Sequence, residues 1–246
     1  IVSLGKERQF RLAGLVGAVL YMFNMFIVID VLQVNTHLVR VFLPLLLLFW
    51  IKGLNSEHFS FKYPVLIGLV SLFYAYANGN LAVVGVIPIA LFLYLIYFII
   101  LHYYRAKHAL KFVFATLIFY LLFNAWWILS AFIQMVKVSE VAQKATEGVN
   151  FTAITFIHDV FRFMGFWAFP TSYGGMPLFT YADLYEEPFL LITTYSIPIL
   201  VFLILLFKLK NKNIVFFAIL AGLGMFLAKG VNEPFGAIYQ FLYEKL

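Results

Sequence analysis

Long unbroken apolar runs, rather than alternation of polar and apolar positions, set the pattern of this chain. Seven segments stand out: residues 12–32, 38–51, 63–77, 81–101, 112–133, 189–207 and 214–228. Crossing the hydrocarbon core of a bilayer takes roughly 20 apolar residues, and every backbone polar group inside must be bonded within a helix or a closed barrel. A barrel would alternate in segments of about ten residues, and nothing here does. The pattern therefore predicts an all-α, polytopic transmembrane bundle of about seven spanning helices, the second, third and seventh of them short.

The polar stretches between the segments give a direction, because cytoplasmic loops hold the excess of Lys and Arg. With all seven spanning and the N-terminus cytoplasmic, eleven of the 17 basic residues fall inside with only Glu7 and Glu57, so the inside carries +9. The outside then carries −3, in agreement with the net charge of +6. Treating the second segment as re-entrant inverts everything after it and abolishes the bias. The spanning arrangement is the one with a basic inner and an acidic outer face.

That arrangement makes residues 137–188 a large extracytoplasmic loop, too long for a passive connection. Within it Phe151, Ile154, Ile157, Phe161 and Met164 recur near helical spacing, which predicts a helix lying in the interface plane. The glycines and prolines from Gly165 to Pro170 and from Gly174 to Pro177 then break it into turns. Asn150-Phe151-Thr152 is a glycosylation sequon on the same side. The whole of 1–246 reads as a single transmembrane domain. The chain opens at Ile1 without a Met and stops at Leu246, from which a longer parent protein is expected.

Composition agrees. With 64% hydrophobic and 11% charged residues, the chain cannot cover a water-facing surface, since a soluble domain is about one quarter charged. This excludes most soluble enzymes and nucleic-acid binders, despite the basic balance, and no nucleic-acid partner is expected. The absence of cysteine removes disulfide scaffolds, thiolate metal sites and thiol nucleophiles.

Scarce charges near a bilayer are costly unless paired or hydrated, so each is a candidate for function. His158, Asp159 and Arg162 lie in the outer loop; three residues apart on a helix, Asp159 and Arg162 can pair and keep a carboxylate ionised, either for chemistry or as a structural bridge. Asp183, Glu186 and Glu187 form an acidic cluster that could collect a divalent cation, or simply a hydrated loop with acids before a helix. Lys229 and Glu233 follow the last segment, where Lys229 either snorkels or contacts a lipid phosphate. Asn24 and Asn124 suit hydrogen bonds between helices, and Trp126 and Trp127 suit interfacial anchors. The five histidines have no metal-ligand spacing.

Tyr21-Met22-Phe23-Asn24, Leu43-Pro44-Leu45, Asn78-Gly79-Asn80, Asn124-Ala125-Trp126-Trp127, the run from Asp159 to Trp167, and Lys229-Gly230 with Pro234-Phe235-Gly236 resemble GT-C membrane glycosyltransferases, in the branch of the arabinofuranosyltransferases. The resemblance implies an integral enzyme of the cell membrane that moves a sugar from a polyprenyl-phosphate carrier to a glycan or glycolipid on the extracytoplasmic face. It implies Asp159 as a catalytic carboxylate, with His158, Arg162, Lys229 and Glu233 near donor or acceptor. The family's principal carboxylate sits in the first outer loop, here nearly empty of acids, and is expected upstream of Ile1. A lipid-linked sugar transporter or a non-catalytic membrane scaffold are the other readings. A transporter would place charged or broken-helix sites at mid-membrane, whereas Pro88 and Pro198 have no acid beside them.

Overall fold

The computed structural model describes residues 2–23, 34–75, 81–146, 155–165, 172–173, 176–177 and 179–245. They form nine α-helices, two short 3₁₀ turns and a two-residue hairpin. The chain divides into two compact units, Gln33–Val149 and Ile1–Leu32 with Asn150–Leu246.

The first unit contains α2 (Val34–Asn55), α3 (Lys62–Phe73), α4 (Leu81–Leu101) and α5 (Ala106–Thr146). The burial pattern of α4 leaves an apolar stripe on each side. Ile87, Ala90, Leu91, Tyr94, Leu95 and Phe98 face the core, while Val86, Ile89, Phe92, Ile96 and Ile100 form an equally apolar stripe on the outside. An outer face that is apolar at helical spacing would be an aggregation liability in water and is the expected surface against acyl chains. Polar groups inside are matched to one another. Asn124 donates from Nδ2 to Ser71 Oγ on α3 and to the Tyr120 carbonyl, while Trp127 Nε1 donates to Asn124 Oδ1 at 2.7 Å. Asn124 thus makes the predicted interhelical bond. Trp127 is drawn into it rather than serving as a free anchor, and Trp126 is the exposed one.

Close approach in this unit depends on glycine. A Cβ on Gly53 would lie 2.2 Å from Phe112 Cε2, and Phe112 is itself buried and edge-on to Trp50 at 5.1 Å. The ring has nowhere to retreat. Helix propensity favours Ala over Gly by about 1 kcal/mol, but overpacking a filled core costs up to about 3 kcal/mol. Gly53→Ala is therefore expected to lower the stability of the detergent-solubilised protein by roughly 1–2 kcal/mol. A thermal melt showing an unchanged or higher Tm would refute the packing argument.

In the second unit lie α1 (Val2–Met22), α6 (Ile157–Phe161), the hairpin Ser172–Tyr173 with Met176–Pro177, a 3₁₀ turn Ala182–Glu186, α7 (Pro188–Phe207), α8 (Lys212–Ala228) and α9 (Gly236–Lys245). Pro188 opens α7, where its missing N–H costs nothing. Asn211 caps α8, its Oδ1 accepting from the Asn213 and Ile214 amides.

Among the described residues three helices are long and apolar enough to cross a membrane: His37–Asn55 of α2, Tyr103–Ser130, which takes in most of α5, and Pro188–Phe207. The remaining apolar helical stretches, Arg11–Met22, Lys62–Phe73, Gly85–Leu101 and Lys212–Ala228, are shorter. The predicted segments 12–32 and 63–77 end outside the described residues, as do Asn24, the sequon and residues 166–170. Two boundaries are corrected. α5 has 41 residues, about 60 Å at 1.5 Å per residue, twice the roughly 30 Å hydrocarbon thickness. The stretch from Lys137 to Thr146, read as the start of a loop, is the continuation of that helix. The interfacial helix is only Ile157–Phe161 among the described residues, and its predicted first positions, Phe151 and Ile154, lie outside them.

Candidate functional site

The polar residues of the outer-loop reading gather around α6. The helix closes by a Schellman arrangement: the Met164 amide donates to the Asp159 carbonyl at 2.7 Å and the Phe163 amide to Val160. Phe163 takes the left-handed turn at φ 60, a position usually given to glycine, and the strain of about 1–2 kcal/mol is held by what surrounds it. Met164 beside it is buried, which supplies the apolar contact this motif uses. Gly165 is confined against Thr155 and Val160.

Arg162 leaves the helix as its C-cap and is 1% exposed. Its Nε donates to Thr194 Oγ1 at 3.2 Å, one terminal nitrogen to Glu186 Oε1 at 3.1 Å and the other to the Tyr185 carbonyl at 2.6 Å, and the guanidinium lies 5.5 Å from the Tyr195 ring centre. The side chain clamps α6 to the 3₁₀ turn and to the first turns of α7. The expected pairing of Arg162 with Asp159 is therefore corrected. Three-residue spacing brings side chains together only on a continuing helix, and this one ends at Phe161. Arg162 turns instead to Glu186.

Asp159 lies beside His158, with Oδ1 3.4 Å from Nε2. It is half-buried whereas His158 is exposed. Burial pushes the Asp159 carboxyl above the ordinary carboxylate range, aided by Glu186 and opposed by His158, Arg162 and the Phe156 backbone. The carboxyl is thus less readily ionised than pairing with Arg162 implied, because desolvation outweighs the neighbouring His158 and Arg162.

Lys229 ends α8 and is 2% exposed. Its Nζ donates to the carbonyls of Gly230 at 3.3 Å and Asn232 at 2.6 Å and sits 5.0 Å from the Phe226 ring centre. Among the described residues no carboxylate pairs with it. A cation at a helix C-terminus complements the macrodipole, and carbonyl oxygens supply the rest of its solvation. Lys229 is thus buried rather than snorkelling. The loop that cages it is tight: a Cβ on Gly236 would meet the Val231 carbonyl oxygen at 1.8 Å. Asn232 also donates to the Thr155 carbonyl at 2.8 Å, tying this loop to the approach to α6. Glu233 is exposed.

The structure therefore brings His158, Asp159 and Arg162 onto one turn, with Lys229 joined to it through Asn232 and Thr155. It splits the acidic cluster, since Glu186 is taken by Arg162 while Asp183 and Glu187 stay exposed. Among the described residues no group of three His, Asp or Glu side chains could hold a metal ion. Sequence reasoning did not single out Thr194, Tyr185, Asn232 and Thr155. Only Thr194, a polar residue inside an apolar run, left a readable trace. No family model, curated protein or solved structure matches the chain.

Proposed function

We propose that the chain is the membrane core of a GT-C type glycosyltransferase, moving a sugar from a polyprenyl-phosphate carrier to a glycan or glycolipid acceptor. In this reading the seven apolar segments all span, the N-terminus is cytoplasmic and the α6 turn faces the extracytoplasmic side. The observation that carries it is Asp159: a half-buried carboxylate beside an exposed imidazole, on a turn fixed by a buried arginine. A general base for an acceptor hydroxyl needs a pKa raised toward the working pH and a rigid support. Asp159 has both, and His158 beside it can orient the acceptor or pass on its proton. Arg162 then acts by holding the turn, and Glu233 is free to meet the acceptor.

The commitment of Arg162 and Lys229 to their own chain supports the second reading, a scaffold without chemistry. The protein in sealed proteoliposomes, given a radiolabelled polyprenyl-phosphate pentose and a glycan acceptor, separates the readings. The enzyme reading expects labelled glycan. Donor moved across the bilayer without transfer would leave the transporter, and neither binding nor transfer would leave the scaffold. If Lys229 also touches the donor phosphate, Lys229→Met weakens donor binding by about tenfold or more while the α6 turn stays protected from hydrogen exchange. Unchanged donor affinity would confine Lys229 to its carbonyl cage.

A further inference from the structure

At one end of the Gln33–Val149 unit, two connections are fastened together. Arg105, in the 3₁₀ turn Tyr103–Arg105, donates to the carbonyls of Asn55 and Ser56 at the end of α2, and His108 Nε2 lies 3.2 Å from the Gly53 carbonyl. The α2–α3 and α4–α5 connections thus form a single surface. It carries five cations, Lys52, Lys62, Arg105, Lys107 and Lys111, against one carboxylate, Glu57. None of the four lysines has an ion pair among the described residues. Lys62 and Lys107 also occupy the first turns of α3 and α5, where the helix dipole disfavours positive charge and where no acid is present. No acid described in the unit relieves that repulsion; the Tyr63 ring, 5.8 Å from Lys62 Nζ, is the favourable neighbour of Lys62.

Exposed aromatic rings stand among these charges. Tyr103 and Tyr104 are 80% and 72% exposed, and Phe59 and Phe61, in edge contact at 4.9 Å, project from the other connection. Aromatic rings at the ends of apolar helices sit at headgroup depth, and lysines beside them meet lipid phosphates. We infer that this end is a docking surface for anionic lipid headgroups, with Lys62, Lys107 and Lys111 meeting the phosphates and the four rings setting the depth. A free anion would use the charge but not the rings. The inference does not depend on the glycosyltransferase reading.

The full chain, extracted from liposomes of equal phosphatidylcholine and phosphatidylglycerol, is tested for retained lipid by native mass spectrometry. Wild type is expected to keep phosphatidylglycerol preferentially. Each lysine near a lipid surface contributes about fivefold, so the triple variant Lys62→Gln/Lys107→Gln/Lys111→Gln should lose at least fivefold of that preference. Removing equal charge from the α7–α8 connection, with Lys208→Gln/Lys210→Gln/Lys212→Gln, should lose distinctly less of that preference than the first triple variant. The single changes Lys62→Gln and Lys107→Gln, each at an exposed position, should lose intermediate amounts and stand in if the triple variant does not fold. Excess inorganic phosphate should not displace the lipid. Equal losses in both triple variants, no loss in the first, or complete displacement by phosphate would overturn the assignment.

Discussion

Arg162→Ala should destabilise the Asn150–Leu246 part of the chain by about 3–5 kcal/mol, from the hydrogen bonds lost by an enclosed guanidinium and the void it leaves. The side chain is almost wholly enclosed, and its three donor contacts reach two elements: Thr194 on α7, and Glu186 and the Tyr185 carbonyl on the 3₁₀ turn. Losing it leaves the Tyr185 carbonyl without this donor, opens a void and frees the strained Phe163 turn. Arg162→Lys should recover less than half, because an ammonium is a point donor and cannot span the fork that a guanidinium spans. The partner is not equivalent. Glu186 is 67% exposed, so water screens the pair, and Glu186→Ala should cost only about 1 kcal/mol. The measurement is thermal unfolding in detergent together with hydrogen exchange over residues 157–165 and 182–195. Equal losses for Arg162→Ala and Glu186→Ala, or full rescue by lysine, would show that the clamp is not what holds the turn.

What could be read from residue order was whatever leaves a local mark. Apolar runs announce helices, so α2, α4, α5, α7 and α8 stand where the runs are, and an asparagine in an apolar helix announces a partner, found at Ser71. Helix ends are different. α5 continues to Thr146 because Val138 to Ala145 contains no helix breaker, while hydropathy, the criterion that ended the segment, responds to charge and not to helicity. The site was half legible for a related reason. Its residues were named from their rarity, but Arg162 meets partners 23 to 32 positions away. Lys229 is held by backbone oxygens, which every residue carries. Neither choice has a signature in spacing. Pairing Asp159 with Arg162 assumed a helix that persists past Phe161, and the turn at Phe163, at a residue type that rarely adopts it, gave no warning.

Asp159→Asn should separate activity from stability with opposite signs. In the proposed role of general base the carboxylate would contribute on the order of 10²–10⁴ in rate, so the asparagine variant should lose at least a hundredfold in transfer while donor affinity stays unchanged. Stability should move the other way. Burial raises the folded pKa of Asp159 above its unfolded value, so the folded state binds a proton more readily. Such a group favours folding below the unfolded pKa, loses that contribution as pH rises through the interval up to the folded pKa, and opposes folding above it. Asparagine removes the titration. The variant should therefore match or slightly exceed wild type in Tm at neutral pH, with the advantage vanishing in acid. In that role the same shift would set the acid limb of the wild-type rate, which should lie above the value of an ordinary aspartate and disappear from the residual activity of the variant. A gain in stability with a loss in turnover is what a residue kept for chemistry produces, since packing alone would not retain a desolvated carboxylate. Should Asp159→Asn lower Tm and leave transfer intact, Asp159 would be a structural partner of His158, and the base would have to be sought elsewhere.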